Sequence, residues 1–249
     1  MSVPRQVVRL KHVQFSESLV DEAVHRAGGR RISEMVLSIP AGIQNCDYLI
    51  GGHLLELKMI ELEPLEATER QQKLTRLFSE LAQEGKSEVD LTGENHQQYW
   101  RSVGAPVRRH LEKAASQIRD TRALLQRPSL RGAVFLINCG GDSIDPISFV
   151  NLTSHHRRDF STDIQAAMCF STIPGVPQSM NRPCLEFSYE HSGDGADESF
   201  VQLFRASFNS VFANKLGKVP DEIDASDTPI QPLRTPFEIE TPKGKIVIN

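Results

Sequence analysis

Asp47, Glu56 and Lys58 are the residues of this sequence best suited by type and spacing to do chemistry. They stand in two otherwise apolar runs, Cys46–Ile50 and His53–Ile60, separated by Gly51-Gly52. Gly-Gly between apolar runs signals a hairpin, because turn positions can require φ > 0. Pairing across that turn would bring Asp47 close to Glu56. Side chains alternate along a strand, so Leu54, Glu56, Lys58 and Ile60 share one face, and Leu55, Leu57 and Met59 the other. Charged groups on so apolar a strand are costly to bury unless they are paired or bound to metal. Two converging carboxylates suit a hard cation such as Mg²⁺, with the Leu57 carbonyl as a natural third protein ligand. Lys58 points to the same side as Glu56 and could reach a water or a phosphate held there. The chemistry implied is metal-assisted hydrolysis: the ion acidifies a water and neutralises charge on a phosphate, and the lysine stabilises the transition state.

The surrounding elements must position these groups. Residues 16–27 read as a helix with Leu19, Ala23, Val24 and Ala27 at helical spacing, stopped by Gly28-Gly29. A short strand or helix is expected within 32–39, before Pro40. Residues 64–84 read as a helix with Leu65, Leu74, Leu77, Phe78 and Leu81 inward, and the polar stretch 85–98 as a loop or helix break. An amphipathic helix is expected over 106–126. Pro106 suits its first turn, and Val107, Leu111, Ala114, Ile118 and Leu125 form its apolar stripe. Gly132–Asn138 is a short apolar run typical of a buried strand. A helix over roughly 146–158, strands at Ile164–Thr172 and Cys184–Tyr189, and a helix over 197–216 follow. The Pro/Asp-rich tail carries a small hairpin, Phe237–Glu240 with Lys245–Ile248. This order reads as one α/β domain with a mixed sheet, residues 1–217, and a C-terminal segment, 218–249.

Composition sets the outer bounds. With 249 residues, 39% hydrophobic and 24% charged, the chain resembles an ordinary globular protein large enough for a sizeable core. It has no apolar run long enough to span a membrane and no secretory signal at residues 1–15, so a cytoplasmic location is expected. The scattered Cys46, Cys139, Cys169 and Cys184 form no C-x-x-C pair and read as buried apolar residues. The net charge of −4 argues against non-specific coating of nucleic acid. Its distribution is uneven: Lys and Arg outnumber Asp and Glu by 10 to 5 over residues 99–160, between acidic flanks. Either a positive face for phosphates or ordinary solvated helix faces would explain that. Arg108, Arg109, Lys113, Arg119 and Arg122 are candidate backbone contacts. Tyr99 and Trp100 could stack on a base, although core packing is the commoner role. His155-His156-Arg157-Arg158 reads as a polar helix end. Gly140-Gly141-Asp142-Ser143 lacks the ending of a phosphate loop.

The segment Asn45–Lys58 resembles the active-site hairpin of the PD-(D/E)XK nuclease superfamily. The resemblance rests on an acid, then Glu-x-Lys in a hydrophobic frame, with Cys46 where the superfamily name has Pro. It implies a restriction-endonuclease-like fold, a mixed central sheet flanked by helices, with a C-terminal extension. It also implies a Mg²⁺-dependent nuclease, with Mn²⁺ able to substitute, acting on nucleic acid, with DNA expected, in antiviral defence, restriction or repair. Asp47 and Glu56 would bind metal, and Lys58 would activate water or stabilise charge. Members often carry a Glu on the preceding helix facing the metal: Glu22 is the candidate here, with Glu17 and Glu34 as competitors. Some add a Gln on a later helix; Gln117 occupies that place, although the Tyr that often follows by four residues is Thr121. A double-strand cutter would need two sites, hence a homodimer or a partner subunit. The competing expectation is a catalytically degenerate subunit on the same fold that binds nucleic acid or protein.

Overall fold

The computed structural model describes residues 16–36, 40, 42–61, 68–83, 88–89, 93–140, 144, 146–175, 184–191, 195–216, 221–224, 237–241 and 244–248. Its first helix, α1 (Glu17–Arg26), buries Leu19, Val20, Ala23 and Val24 along one stripe. Gly28, at φ 76°, ends it in a conformation that a side chain would strain. Strand β1 (Arg30–Arg31) and a 3₁₀ turn over Ile32–Glu34 follow, where a short strand or helix was expected. Strands β2 (Tyr48–Ile50) and β3 (His53–Ile60) then form the anticipated hairpin. Ile50 pairs with His53, and Gly51 takes φ 57° in the two-residue turn between them.

The main sheet has seven strands in the order β1-β2-β3-β5-β6-β7-β8. Its centre is β5 (Arg131–Asn138), parallel to β3 on one side and to β6 (Ala166–Gly175) on the other. Strand β7 (Cys184–His191) is antiparallel to β6, and β8 (Asp221–Asp224) is parallel to β7. The sheet is therefore mixed, and helices cover both faces. Alternation sorts β5 cleanly: Ala133, Phe135 and Ile137 face α1 and α5 (Gly195–Leu216), while Val134 and Leu136 face α3 (Gly93–Leu124) and α4 (Pro146–Arg157). On the α5 side, Phe200, Phe204, Phe208 and Phe212 form one row, with edge-on contacts to Phe135 and Phe170. Such pairs add about 0.5–1.5 kcal/mol each beyond the burial of their area. Gly132, the second residue of β5, has no room for a side chain, because a Cβ there would lie 1.9 Å from the Asp163 carbonyl oxygen.

Helix α3 corrects the sequence expectation. It begins at Gly93 rather than at 106, and Pro106 lies inside it. An interior proline removes one helical hydrogen bond and crowds the preceding turn. Burial of Tyr99, Trp100, Val103, Val107 and Leu111 keeps one continuous apolar stripe running through it. Gly104 sits against α4, where a Cβ would come within 2.8 Å of Leu152 Cδ2, so close helix packing fixes this segment. Tyr99 and Trp100 are core residues, packed edge to face at 5.6 Å.

A second sheet of three strands joins β4 (Glu88–Val89), β10 (Gly244–Ile248) and β9 (Phe237–Thr241) in that order. The expected β9–β10 hairpin forms, and both strands pack on α2 (Thr68–Gln83). Strand β10 also runs parallel to β4, inside the stretch expected to be a loop. With β8 in the main sheet as well, the division expected at 217/218 does not coincide with any break in strand pairing. Cys46 and Cys169 are buried thiols, as expected, and Cys139 is half-buried. The expected positions at Leu65 and Gly141–Ser143 lie outside the described residues, as does the side chain of Cys184. No described helix is long and apolar enough to cross a membrane.

Candidate active site

The hairpin register does the first part of the positioning. Tyr48 opposes Leu55, so the next residues outward, Asp47 and Glu56, face each other just beyond the end of β2. Each acid clamps the other's strand. The Asp47 backbone N–H donates to Glu56 Oε2 at 3.2 Å, and the Leu57 N–H donates to Asp47 Oδ2 at 2.8 Å. The N–H and C=O of one strand residue point to the same edge, so the Leu57 carbonyl faces this opening too.

Helix α3 supplies the second part. Lys58 donates to Glu56 Oε1 and, at 2.7 Å, to Gln117 Oε1. Gln117 Nε2 donates in turn to the Asn45 carbonyl at 3.1 Å. One turn on, the Thr121 hydroxyl accepts the Cys46 N–H at 2.7 Å and donates to the Gln117 carbonyl. The helix thus grips the backbone just before Asp47 at two points. Asp47, Glu56, Lys58 and Gln117, four of the anticipated residues, meet in one place.

Burial and charge give the site its character. Glu56 is 1% exposed and the Lys58 side chain 10%. Desolvation, reinforced by the nearby Asp47 carboxylate, pushes the Glu56 pKa up to about 7 against the favourable pull of Lys58. Burial raises Asp47 as well. When both acids ionise, two carboxylates share one ammonium, leaving a surplus negative charge in a nearly closed space. A divalent cation would relieve that surplus. Two carboxylates and an adjacent carbonyl are the hard oxygen donors that Mg²⁺ takes, so the residues present fit such an ion. Among the described residues, no cluster of three or more His, Cys, Asp or Glu side chains is gathered for a metal.

The upstream acid departs from expectation. Glu22 is not at the site: 44% exposed, it pairs with Lys215 of α5 at 3.0 Å and with Arg26 at 3.9 Å. The buried stripe of α1 faces the sheet, which turns Glu22 toward α5 instead. Glu34 is exposed at the end of the 3₁₀ turn. Glu17 is the competitor whose charge reaches Asp47 and helps to raise its pKa, although its carboxylate is bound to Arg31 at 2.6 Å. Arg31 also holds Asp21, which accepts from the Tyr48 hydroxyl at 2.9 Å.

No family model, curated protein or solved structure matches this chain.

Two residues at the site carry weight that sequence reasoning missed. Thr121, which stands where the resemblance implies a Tyr, is the helix's anchor on Cys46. His110 lies two turns before Gln117, on the same side of α3. Burial, then the nearby Lys58, Lys113 and Arg109, hold its pKa below the ordinary imidazole range. Helical spacing from Gln117 was the available signal for it.

The opposite face of β3 carries a second charged cluster. His53 meets Asp197 of α5 at 3.0 Å, Arg131 bonds to both Asp197 oxygens, and His53 stacks on Phe200 at 4.2 Å. Burial opposes ionisation of Asp197, but Arg131 and His53 outweigh it and hold the pKa below the usual carboxylate value.

Proposed function

We propose that the chain is a divalent-metal-dependent nuclease with a restriction-endonuclease-like fold, hydrolysing phosphodiester bonds, with DNA as the expected substrate. The observation that supports this most is the closed arrangement of Asp47 and Glu56 on one hairpin, with Lys58 held between Glu56 and Gln117. Asp47, Glu56 and the Leu57 carbonyl would hold Mg²⁺, or Mn²⁺ in its place. Bound there, the ion supplies Lewis-acid polarisation of the phosphate and a more acidic water. The chain's own residues do the rest. Lys58 sets its ammonium beside the carboxylates, where negative charge grows on the phosphate oxygens in the transition state. Gln117 accepts from that ammonium and fixes its direction without competing for its charge. Glu56, buried and near neutrality, gives up its proton more readily when a cation is at hand, which couples ion uptake to proton release.

The test is a cleavage assay on linear duplex, circular duplex and single-stranded DNA and on RNA, with Mg²⁺, Mn²⁺ or EDTA. Activity that EDTA removes is expected, with Asp47→Ala abolishing it and Lys58→Ala lowering it by about 10²–10³-fold or more. Cleavage by both variants at the wild-type rate would overturn the reading.

A further inference from the structure

The cations of α3 divide between two flanks. At about 100° per residue, Arg108, Arg119 and Arg122 fall on one side, and Arg109 and Lys113 on the other, together with the uncharged Gln117 and with His110. The first flank is engaged within the fold. Arg119 and Arg122 both bind Asp163, Arg122 also donates to the Leu130 carbonyl at 2.8 Å, and Arg108 lies 3.8 Å from Asp159. These three therefore have partners that a ligand would have to displace.

The second flank differs. Arg109, His110 and Lys113 make no hydrogen bond or ion pair among the described residues. Arg109 and Lys113 are exposed, and His110 is half-buried. His110 feels the charges of Lys58, Lys113 and Arg109 together, which places all four in one electrostatic neighbourhood. Arg109 and Lys113, two unpaired cations one turn apart, repel each other, and a polyanion removes that repulsion while releasing its own counterions. From Arg109 to Gln117 the helix rises ~12 Å, a length along which one strand of a duplex presents about three phosphates.

We propose that this flank of α3 is a phosphate track: Arg109, His110 and Lys113 hold backbone phosphates on one side of the scissile one. The substrate strand then leaves the Asp47–Glu56 site along α3 toward the amino-terminal half of that helix. The partner is a phosphodiester backbone, recognised by charge and spacing rather than by base. This deepens the nuclease reading and rests on it for the word scissile, but the track is measurable without cleavage.

The experiment titrates the full chain, in EDTA, against a fluorescein-labelled 20-nucleotide single strand and its duplex, at 50–200 mM salt. The wild type is expected to bind with a steep salt dependence. The Arg109→Gln/Lys113→Gln double variant should lower the slope of log Kd against log salt by about 2, as each lost phosphate contact removes about 1. Arg119→Gln should keep the wild-type slope, and His110→Ala should weaken binding by a smaller factor. An unchanged slope in the double variant, or a wild type that binds neither probe at 50 mM salt, overturns the track. A protein that cleaves normally while the double variant keeps its slope retains the nuclease reading and loses the track. One that binds as described but never cleaves with any metal keeps the track and loses the nuclease reading.

Discussion

On the α5 face of β3, Asp197 is paired with Arg131 and hydrogen-bonded to His53; on the α3 face, Asp47 and Glu56 share one ammonium, that of Lys58. Both clusters are buried, and both are built on β3, one on each of its faces. Their electrostatics run in opposite directions: the Asp197 pKa is lowered and the Glu56 pKa is raised. The first cluster is a neutralised joint that fastens the start of α5 to β3 and β5. The second is left short of positive charge, which lowers stability but suits an incoming cation. Burial of charge alone does not distinguish a staple from a site. The local charge balance does.

The largest expected effect comes from breaking the staple. Asp197→Ala leaves Arg131 and His53 without their buried partner and should cost about 3–5 kcal/mol, read from denaturant midpoints. The same substitution should leave the turnover of the folded fraction intact, which separates the two faces of the strand.

The next effect sharpens the contrast through pH. Glu56 keeps its proton up to about 7 in the fold, against 4.5 ordinarily. Between those values the native state binds more protons than the unfolded chain, so stability should fall as pH rises. The cost is absent below 4.5, fully present above about 7, and amounts to at most about 3 kcal/mol. Urea unfolding in metal-free buffer from pH 5 to 8 measures it, and Glu56→Gln should flatten the profile. Asp197 behaves oppositely: its contribution is present above the ordinary carboxylate value of 3.8 and is lost as pH falls below it. A wild-type profile that falls no more steeply from pH 5 to 8 than that of Glu56→Gln would remove the distinction drawn between the clusters.

The smallest effect tests the grip of α3 on the hairpin. Thr121→Val removes the acceptor of the buried Cys46 N–H and should cost about 1–2 kcal/mol. Thr121→Ser should restore most of it.

Much of the hairpin was legible because a period of two admits few alternatives. Once Gly51-Gly52 is a two-residue turn, the placement of Asp47 opposite Glu56 follows, and so does the shared face of Glu56 and Lys58. Gln117 was reachable through its place on the later helix. The upstream acid was not, because the direction of Glu22 is set by how α1 lies against α5, and no local pattern encodes that. Pro106 misled for a related reason: proline favours a first turn, but packing through Gly104 and Val107 carries the helix across it. The tail hid β8 because Asp-Glu-Ile-Asp has little strand propensity; pairing with β7 in the sheet sets its conformation.

The parallel pairing of β10 with β4 has a consequence for how the molecule is made. Val247 lies opposite Glu88, so β4 leaves the ribosome long before the strand that completes its sheet. At typical elongation rates the delay is roughly 8–30 s. Throughout that interval α2 lacks the two strands that cover it, and the nascent chain presents an unfinished edge to chaperones and to other chains. The small sheet therefore sets the timing of final closure, well after the Asp47–Glu56 hairpin and its partner helix have been made.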